Sequence, residues 1–221
     1  MKKNFVVIGL GRFGSSIVRT LVESGHEVLA IDSNEDRVNE YMNIATHAVV
    51  ANAQDEAVLK SLGIRNFDAV VVAIGEDLQA SILVTLMVKE MNVKNVWVKA
   101  LDDYHARVLE KIGADRVVHP ERDMGVRIAH SLTANNLVDY FEISKDFSMA
   151  EIKVYNKKFI NRTLQELSFP KKYNVQISAI KKTSGEVELA TADSIIHEKD
   201  SILVVGRTED VEYLDEILYR T

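Results

Sequence analysis

Three glycines, an arginine and an acid carry the chemistry at the start of this sequence. Gly9, Gly11 and Gly14 follow an apolar run, Phe5-Val6-Val7-Ile8, in the spacing G-x-G-x-x-G. Arg12 and Phe13 stand inside the motif, and Asp32 closes a second apolar run, Val28-Leu29-Ala30-Ile31. Strand, glycine turn, helix, strand and acid is the order of a dinucleotide-binding unit. The first glycine permits the tight turn, the second lets backbone approach a phosphate, and the third lets helix and strand pack closely. The helix that opens at the turn offers free N–H groups and the positive end of its dipole to an anion. Asp32 is placed to accept hydrogen bonds from ribose hydroxyls. That requires a free 2′-hydroxyl, which disfavours NADP and leaves NAD, ATP, ADP and AMP open. The competing reading is a glycine turn that keeps the fold without a ligand.

Arg12 reads in two ways: as a solvated arginine on a helix surface, or as a guanidinium reaching a terminal phosphate by a charge-assisted hydrogen bond. A cation beside a phosphate-binding turn favours the second.

The elements that must position these residues follow from hydrophobic periodicity. Short apolar runs at 4–8, 27–31, 47–51, 68–74, 95–99 and 115–119 alternate with helix-period stretches at 12–24, 34–43, 54–62, 76–91, 102–112 and 121–136. Such alternation predicts a parallel sheet with helices on both faces. Right-handed crossovers then place every strand's C-terminal end on one edge, where ligands bind. Residues just after each strand should line one cleft: Ser33 and Asn34; Asn52, Ala53, Gln54 and Asp55; Ile74, Gly75 and Glu76; Lys99 and Ala100; and His119 through Glu121 and Arg122. Asn34, Asp55 and Asp102 serve equally well as helix N-caps. For Asn52 a loop role and ligand contact weigh the same. Glu121 follows Pro120 and suits a helix's first turn. Beside phosphates its carboxylate would need a cation in between.

Composition narrows the function classes. There are no cysteines, which excludes disulfides and thiolate metal sites and suits a cytosolic protein. A net charge of −6 argues against nucleic-acid binding, which calls for a basic surplus. No apolar run approaches the roughly 18 residues of a membrane span. The sequence passes from Met1-Lys2-Lys3-Asn4 into a strand without a signal-peptide pattern. The histidines lack metal-site spacing, and no residue set looks catalytic.

Beyond about residue 137 the alternation is lost. Strands are expected at 137–143, 150–154 and 201–206, a hairpin of 175–180 with 186–189 around Ser184-Gly185, and helices at 163–167 and 208–219. The chain divides into a nucleotide-binding domain at 1–120, a bridging helix at 121–136 and a small α+β lobe at 137–221. The bridging helix carries Met124, Val126, Ile128 and Leu132, which suits either a dimer element or packing onto its own sheet.

Taken whole, the chain resembles the cytosolic regulatory subunits of Ktr-type potassium uptake systems, built from an RCK (KTN) nucleotide-binding domain and a smaller C-terminal RCK lobe. The residues that carry the resemblance are Ile8 through Gly14, Thr46-His47-Ala48-Val49-Val50, Gly63-Ile64-Arg65-Asn66-Phe67-Asp68, Val72-Ala73-Ile74-Gly75 with Gln79-Ala80-Ser81, and Lys111-Ile112-Gly113-Ala114-Asp115-Arg116 running into His119-Pro120-Glu121-Arg122-Asp123-Met124. It implies a Rossmann-like doubly wound parallel sheet with a small α+β C-terminal RCK lobe, and a regulator rather than an enzyme. Dimers would stack into an octameric ring on the cytoplasmic face of a membrane potassium-transporting subunit, with ATP and ADP, or else NAD or NADH, setting the ring's shape. Arg12 would correspond to the arginine that reaches the γ-phosphate and Asp32 to the ribose acid. Asn52, Ala53, Ile74 and Gly75 would cradle adenine, with Lys99 and His105 on the ligand's flank. Glu121 would help hold Mg or another cation with the ATP phosphates. Some relatives bind cyclic di-AMP in the C-terminal lobe. Here Pro170 replaces an arginine found in several of them, which argues against that site unless Arg162 or Lys171 substitutes.

Overall fold

The computed structural model describes residues 1–219. Two compact units divide the chain, Met1–Pro120 and Glu121–Thr221.

In the first unit β1 (Asn4–Ile8), α1 (Arg12–Glu23), β2 (Glu27–Asp32), α2 (Glu35–Tyr41), β3 (His47–Val50), α3 (Glu56–Ser61), β4 (Ala69–Val72), α4 (Leu78–Glu90), β5 (Val96–Lys99), α5 (Asp103–Lys111) and β6 (Arg116–Val118) alternate. The strands form one parallel sheet in the order β3-β2-β1-β4-β5-β6, a doubly wound Rossmann-like arrangement. Both faces of its centre are covered, which is why the strands read as continuous apolar runs rather than alternating ones. Val6, Ile8, Leu29, Ile31, Val70 and Val96 pack with Leu59 of α3, Val84 of α4 and Leu109 of α5. Val7, Val28 and Ala30 pack on the other face with Val18 of α1 and Val38 of α2. The expected elements are all present in this unit, with no end shifted by more than two residues.

Chain reversal puts β1 between β2 and β4, so the glycine turn lies where the strand order switches. The end of β4 is bonded directly to β1, through Ala73 N–H to the Ile8 carbonyl at 2.7 Å.

The second unit begins with α6 (Pro120–Thr133) and continues with β7 (Leu137–Ser144), β8 (Phe147–Lys153), β9 (Arg162–Thr163), α7 (Leu164–Leu167), α8 (Phe169–Tyr173), β10 (Val175–Lys181), β11 (Val187–Leu189), β12 (Ile195–Ile196), β13 (Ser201–Arg207) and α9 (Thr208–Tyr219). Its main sheet is antiparallel, in the order β11-β10-β13-β8-β7, and β9 pairs with β12 separately. The expected hairpin turns at Gly185, whose φ of +92° is the left-handed value glycine tolerates best. Ile152, Ile177, Ile202 and Val204 meet Val211, Leu214 and Leu218 of α9 in the core.

Helix α6 ends at Thr133, short of the expected 136. The cause is Asp215 of α9, whose carboxylate accepts the N–H groups of Asn135 at 2.9 Å and Asn136 at 3.0 Å. A buried acid on the last helix, about 80 residues on in the chain, thus decides where α6 stops. Arg127 ties α6 to β7, donating from Nε to Asp139 at 2.7 Å and lying 4.1 Å from the centre of the Phe141 ring.

Candidate functional site

The glycine turn is fixed from three sides. Gly9 donates to the Ile31 carbonyl at 2.8 Å, which binds the turn to β2. Its φ is +97°, and a Cβ there would come within 3.0 Å of the Ala73 carbonyl carbon. At Gly14 a Cβ would fall 1.9 Å from the Gly9 oxygen. Two of the three glycines are therefore required by the protein's own packing.

Gly11 differs. Its backbone is extended, with φ −68° and ψ −176°, which any residue adopts. A Cβ there would meet nothing within 4 Å. Neither strain nor packing explains glycine at this position. What glycine preserves is open space directly over the start of α1, the space a phosphate approaching backbone would need.

Helix α1 is also set apart by its uncapped end. The side chains of Asn34, Asp55, Asp77 and Asp102 accept the first-turn N–H groups of α2, α3, α4 and α5. No side chain does so for α1, and no acid lies in its first turn. Its leading N–H groups stay free to receive an anion. Arg12, exposed at the first helical position, has no ion-pair partner among the described residues.

Asp32 ends β2 and is 7% exposed. One carboxylate oxygen accepts the Leu10 N–H at 2.6 Å and the other the Asn34 N–H at 2.8 Å. Arg37 stands 3.7 Å away. An ionised carboxylate offers about four acceptor positions, so two backbone bonds leave capacity for ribose hydroxyls. Leu10 belongs to the site through its main chain alone, and no sequence motif marks that contact.

The remaining candidates lie along the same sheet edge. Ser33 and Glu76 are exposed, and Phe13 is half-buried against the α1 core. Asn52 accepts the Gln54 N–H at 3.0 Å with its side-chain oxygen, a local turn, which leaves its amide nitrogen and the oxygen's second lone pair for a ligand. Ala53 is 8% exposed beneath it. Ile74 and Gly75 are half-buried after β4. The Lys99 ammonium crosses over Gly75, 3.1 Å from where a Cβ would sit. Glycine at 75 thus makes room for Lys99 and brings these two candidates together.

His105 is 1% exposed in the first turn of α5. Its Nδ1 accepts the Leu101 N–H at 3.3 Å, so the neutral ring carries its proton on Nε2. That Nε2 has no hydrogen-bond partner in the protein. Burial pushes the imidazole pKa below its ordinary value, Asp102 opposes this, and His119 adds to it. An orphaned buried donor calls for a partner. Glu121 falls in the first turn of α6, in the second unit. Among the described residues no group of three or more His, Asp or Glu side chains is gathered to hold a metal ion.

Set beside known proteins, residues 5–120 match the TrkA-N domain model and residues 149–219 the TrkA-C domain model. The chain is 50% identical to Ktr system potassium uptake protein C of Bacillus subtilis, over 100% of both chains. It is 49% identical to Ktr system potassium uptake protein A of the same organism, over 95% of this chain and 94% of that one. A solved structure described as the GsuK channel bound to NAD superposes with a TM-score of 0.70 at 16% identity, covering 100% of this chain. This chain spans 40% of that channel chain, and the likeness is one of fold.

Proposed function

We propose, for a chain that belongs to the family of the Ktr system potassium uptake proteins with their TrkA-N and TrkA-C domains, that it is a nucleotide-gated regulatory subunit of a membrane potassium transporter. The observation that carries the nucleotide part is the uncapped start of α1 beneath an unfilled Gly11. A phosphate placed there gains N–H donors, the helix dipole and the Arg12 guanidinium together. Asp32 takes the ribose, and Asn52, Ala53, Ile74 and Gly75 border the base. Ser33, Glu76, Lys99 and His105 complete the rim, the last offering its unpartnered Nε2 proton.

ATP and ADP differ by one phosphoryl group, and a ligand shifts a conformational equilibrium only through differential affinity for its states. Arg12 is the group placed to sense the extra charge. Glu121, with Mg or another cation, is the second, meeting the triphosphate in the assembled protein. No reaction is required of these residues, which supports a switch rather than an enzyme.

Assembly supports the same reading. Helix α6 buries none of its side chains and leaves Met124, Ile128 and Leu132 at 49%, 51% and 79% exposure. Helix α4 is apolar nearly all the way round, with Leu83 and Leu86 exposed, a pattern expected of a helix covered on both sides. Homodimers formed through α6 and stacked into an octameric ring would cover such faces. No helix among the described residues is long and apolar enough to cross a membrane. The subunit would therefore reach the cytoplasmic face of the bilayer through its Ktr- or Trk-type partner.

Calorimetric titration of the full chain with ATP, ADP and NADH tests the proposal. Saturable binding of ATP and ADP, with ATP weakened in Arg12→Ala and both weakened in Asp32→Ala, supports it; no binding of either rejects it. A second reading, an NAD(H) sensor on the same scaffold, is favoured by the NAD bound in the GsuK channel. It expects NADH to displace ATP in the same titration.

A further inference from the structure

We infer that Arg37 is a second reader of the nucleotide's sugar and, with Asp32, selects ribose over 2′-deoxyribose. This rests on the nucleotide reading of the Asp32 cleft and adds a specificity-determining residue to it. No sequence motif marks Arg37, and its placement comes from the structure.

Asp32, Asn34 and Arg37 form a closed circuit. Asp32 Oδ1 accepts the Asn34 N–H at 2.8 Å, and the Asn34 side-chain oxygen accepts the Arg37 N–H at 3.1 Å. The Arg37 side chain then returns to Asp32, with Nη1 3.7 Å from Oδ2. The Asn34 cap fixes the main chain of Arg37, so the guanidinium reaches out from a defined point just beyond β2.

The 3.7 Å separation is too long for a hydrogen bond, since N–H···O bonds lie at about 2.9 Å. It is a separation that one oxygen atom can bridge. A hydroxyl about 2.7 Å from Oδ2 and about 2.9 Å from Nη1 closes a triangle on that 3.7 Å base. Oδ2 has room for it: its hydrogen bond is to the Leu10 N–H, and a carboxylate oxygen accepts two. Arg37 has donors for it. Among the described residues its guanidinium makes no hydrogen bond, and its acidic partner is Asp32, although Glu35 and Asp36 share its turn.

A hydroxyl is one donor and two acceptors. Facing an acid alone, it gives its proton and leaves its lone pairs to water. Between Asp32 and Arg37 it gives its proton to the carboxylate and accepts from the guanidinium, a bond strengthened by the donor's charge. In dinucleotide-binding units the acid after the second strand takes the ribose 2′-hydroxyl. A 2′-deoxyribose supplies neither half of this exchange, and a site that bonds a hydroxyl rejects the analogue lacking it. The Arg37 side chain is 44% exposed against 7% for Asp32, so the pair lies at the open edge of the cleft. Solvent moderates the discrimination there, to about tenfold rather than the larger factors of enclosed sites.

ADP and 2′-deoxy-ADP are the probes, each titrated calorimetrically into the full chain. The parent is expected to bind ADP about tenfold or more tightly than 2′-deoxy-ADP. Arg37→Met keeps the aliphatic stem and removes the donors. Its ratio should fall to about threefold or less, through weaker ADP binding with 2′-deoxy-ADP nearly unchanged. Arg37→Lys, which keeps a charged donor without the planar fork, should restore part of the ratio. A purely structural role for Arg37 would weaken both ligands alike, so the ratio isolates contact with the sugar. If circular dichroism shows Arg37→Met disturbed, Arg37→Ala serves in its place. The inference is overturned if the folded variant keeps the parent's ratio, or if the parent binds both ligands equally. Failure of the parent to bind ADP at all would remove the nucleotide reading and this one with it. ADP binding with a ratio indifferent to Arg37 would remove the role of Arg37 alone.

Discussion

Asp32 and Leu10 meet in a 2.6 Å hydrogen bond from a backbone N–H to a buried carboxylate, although α1 separates them in the chain. The acid that would read a ribose is thus also a fastener of the turn that would hold the phosphate. Binding and folding share one side chain, and both should respond when it is removed. Asp32→Ala is expected to cost about 1–3 kcal/mol of stability, the usual penalty for orphaning a buried donor. Nucleotide affinity should fall at least about tenfold as well. Urea unfolding and calorimetry on the same variant measure the two losses.

The glycines divide into those the fold needs and one it does not. Gly14→Ala would drive a Cβ to 1.9 Å from the Gly9 oxygen, so this variant should not reach the native fold. Gly11→Ala meets no neighbour and should keep its stability within about 1 kcal/mol, the scale of a helix N-cap change. Its affinity for ATP and ADP should nonetheless drop. A melting curve for each variant and a binding titration for Gly11→Ala check the contrast, and equal affinity in Gly11→Ala would refute the phosphate assignment.

Arg12 offers a test of which phosphate is sensed. Losing one charge-assisted hydrogen bond costs about 1.5–3 kcal/mol, so Arg12→Ala should bind ATP about tenfold or more weakly. ADP affinity should change far less. Parallel titrations decide it, and an equal loss for both ligands would place Arg12 on the shared phosphates.

His105 sets a pH dependence. Burial lowers its folded-state pKa below the unfolded value near 6.5. The unfolded chain therefore takes up this proton first as pH falls. The stability held by the neutral ring is present above about 6.5 and is lost on acidification through the window between the unfolded and folded values. Urea midpoints measured from neutral to mildly acidic pH should fall in that direction. His105→Gln, which does not titrate, should flatten this part of the profile.

The exposed face of α6 predicts an assembly phenotype. Ile128→Asp with Leu132→Asp changes side chains that are 51% and 79% exposed, so the unit should fold as before. Light scattering should report a smaller particle if α6 joins subunits. An unchanged mass would remove α6 from the interface.

Much of this was legible in the residues. The period of the apolar runs fixed the parallel sheet, because strands buried on both faces must be apolar throughout, as Val6-Val7-Ile8 and Val70-Val71-Val72 are. Asn34, Asp55 and Asp102 read as caps and are caps. The second unit was harder. Strand β8 begins at Phe147, before its alternating stretch becomes clear, and the short β9, β12 and α8 carry too few residues for any period to show.

Sequence by itself determined the doubly wound class, the glycine turn, the acid at its flank and the family, since these follow from local spacing and side-chain type. Tertiary structure alone decided which glycine is free of the fold's demands, because that depends on where Ala73 and the Gly9 carbonyl come to rest. It alone decided that α6 stops at Thr133, because the carboxylate responsible sits on α9. It also left His105 with an unanswered donor. In each case the deciding contact joins residues far apart in the chain, and no local pattern encodes such a meeting.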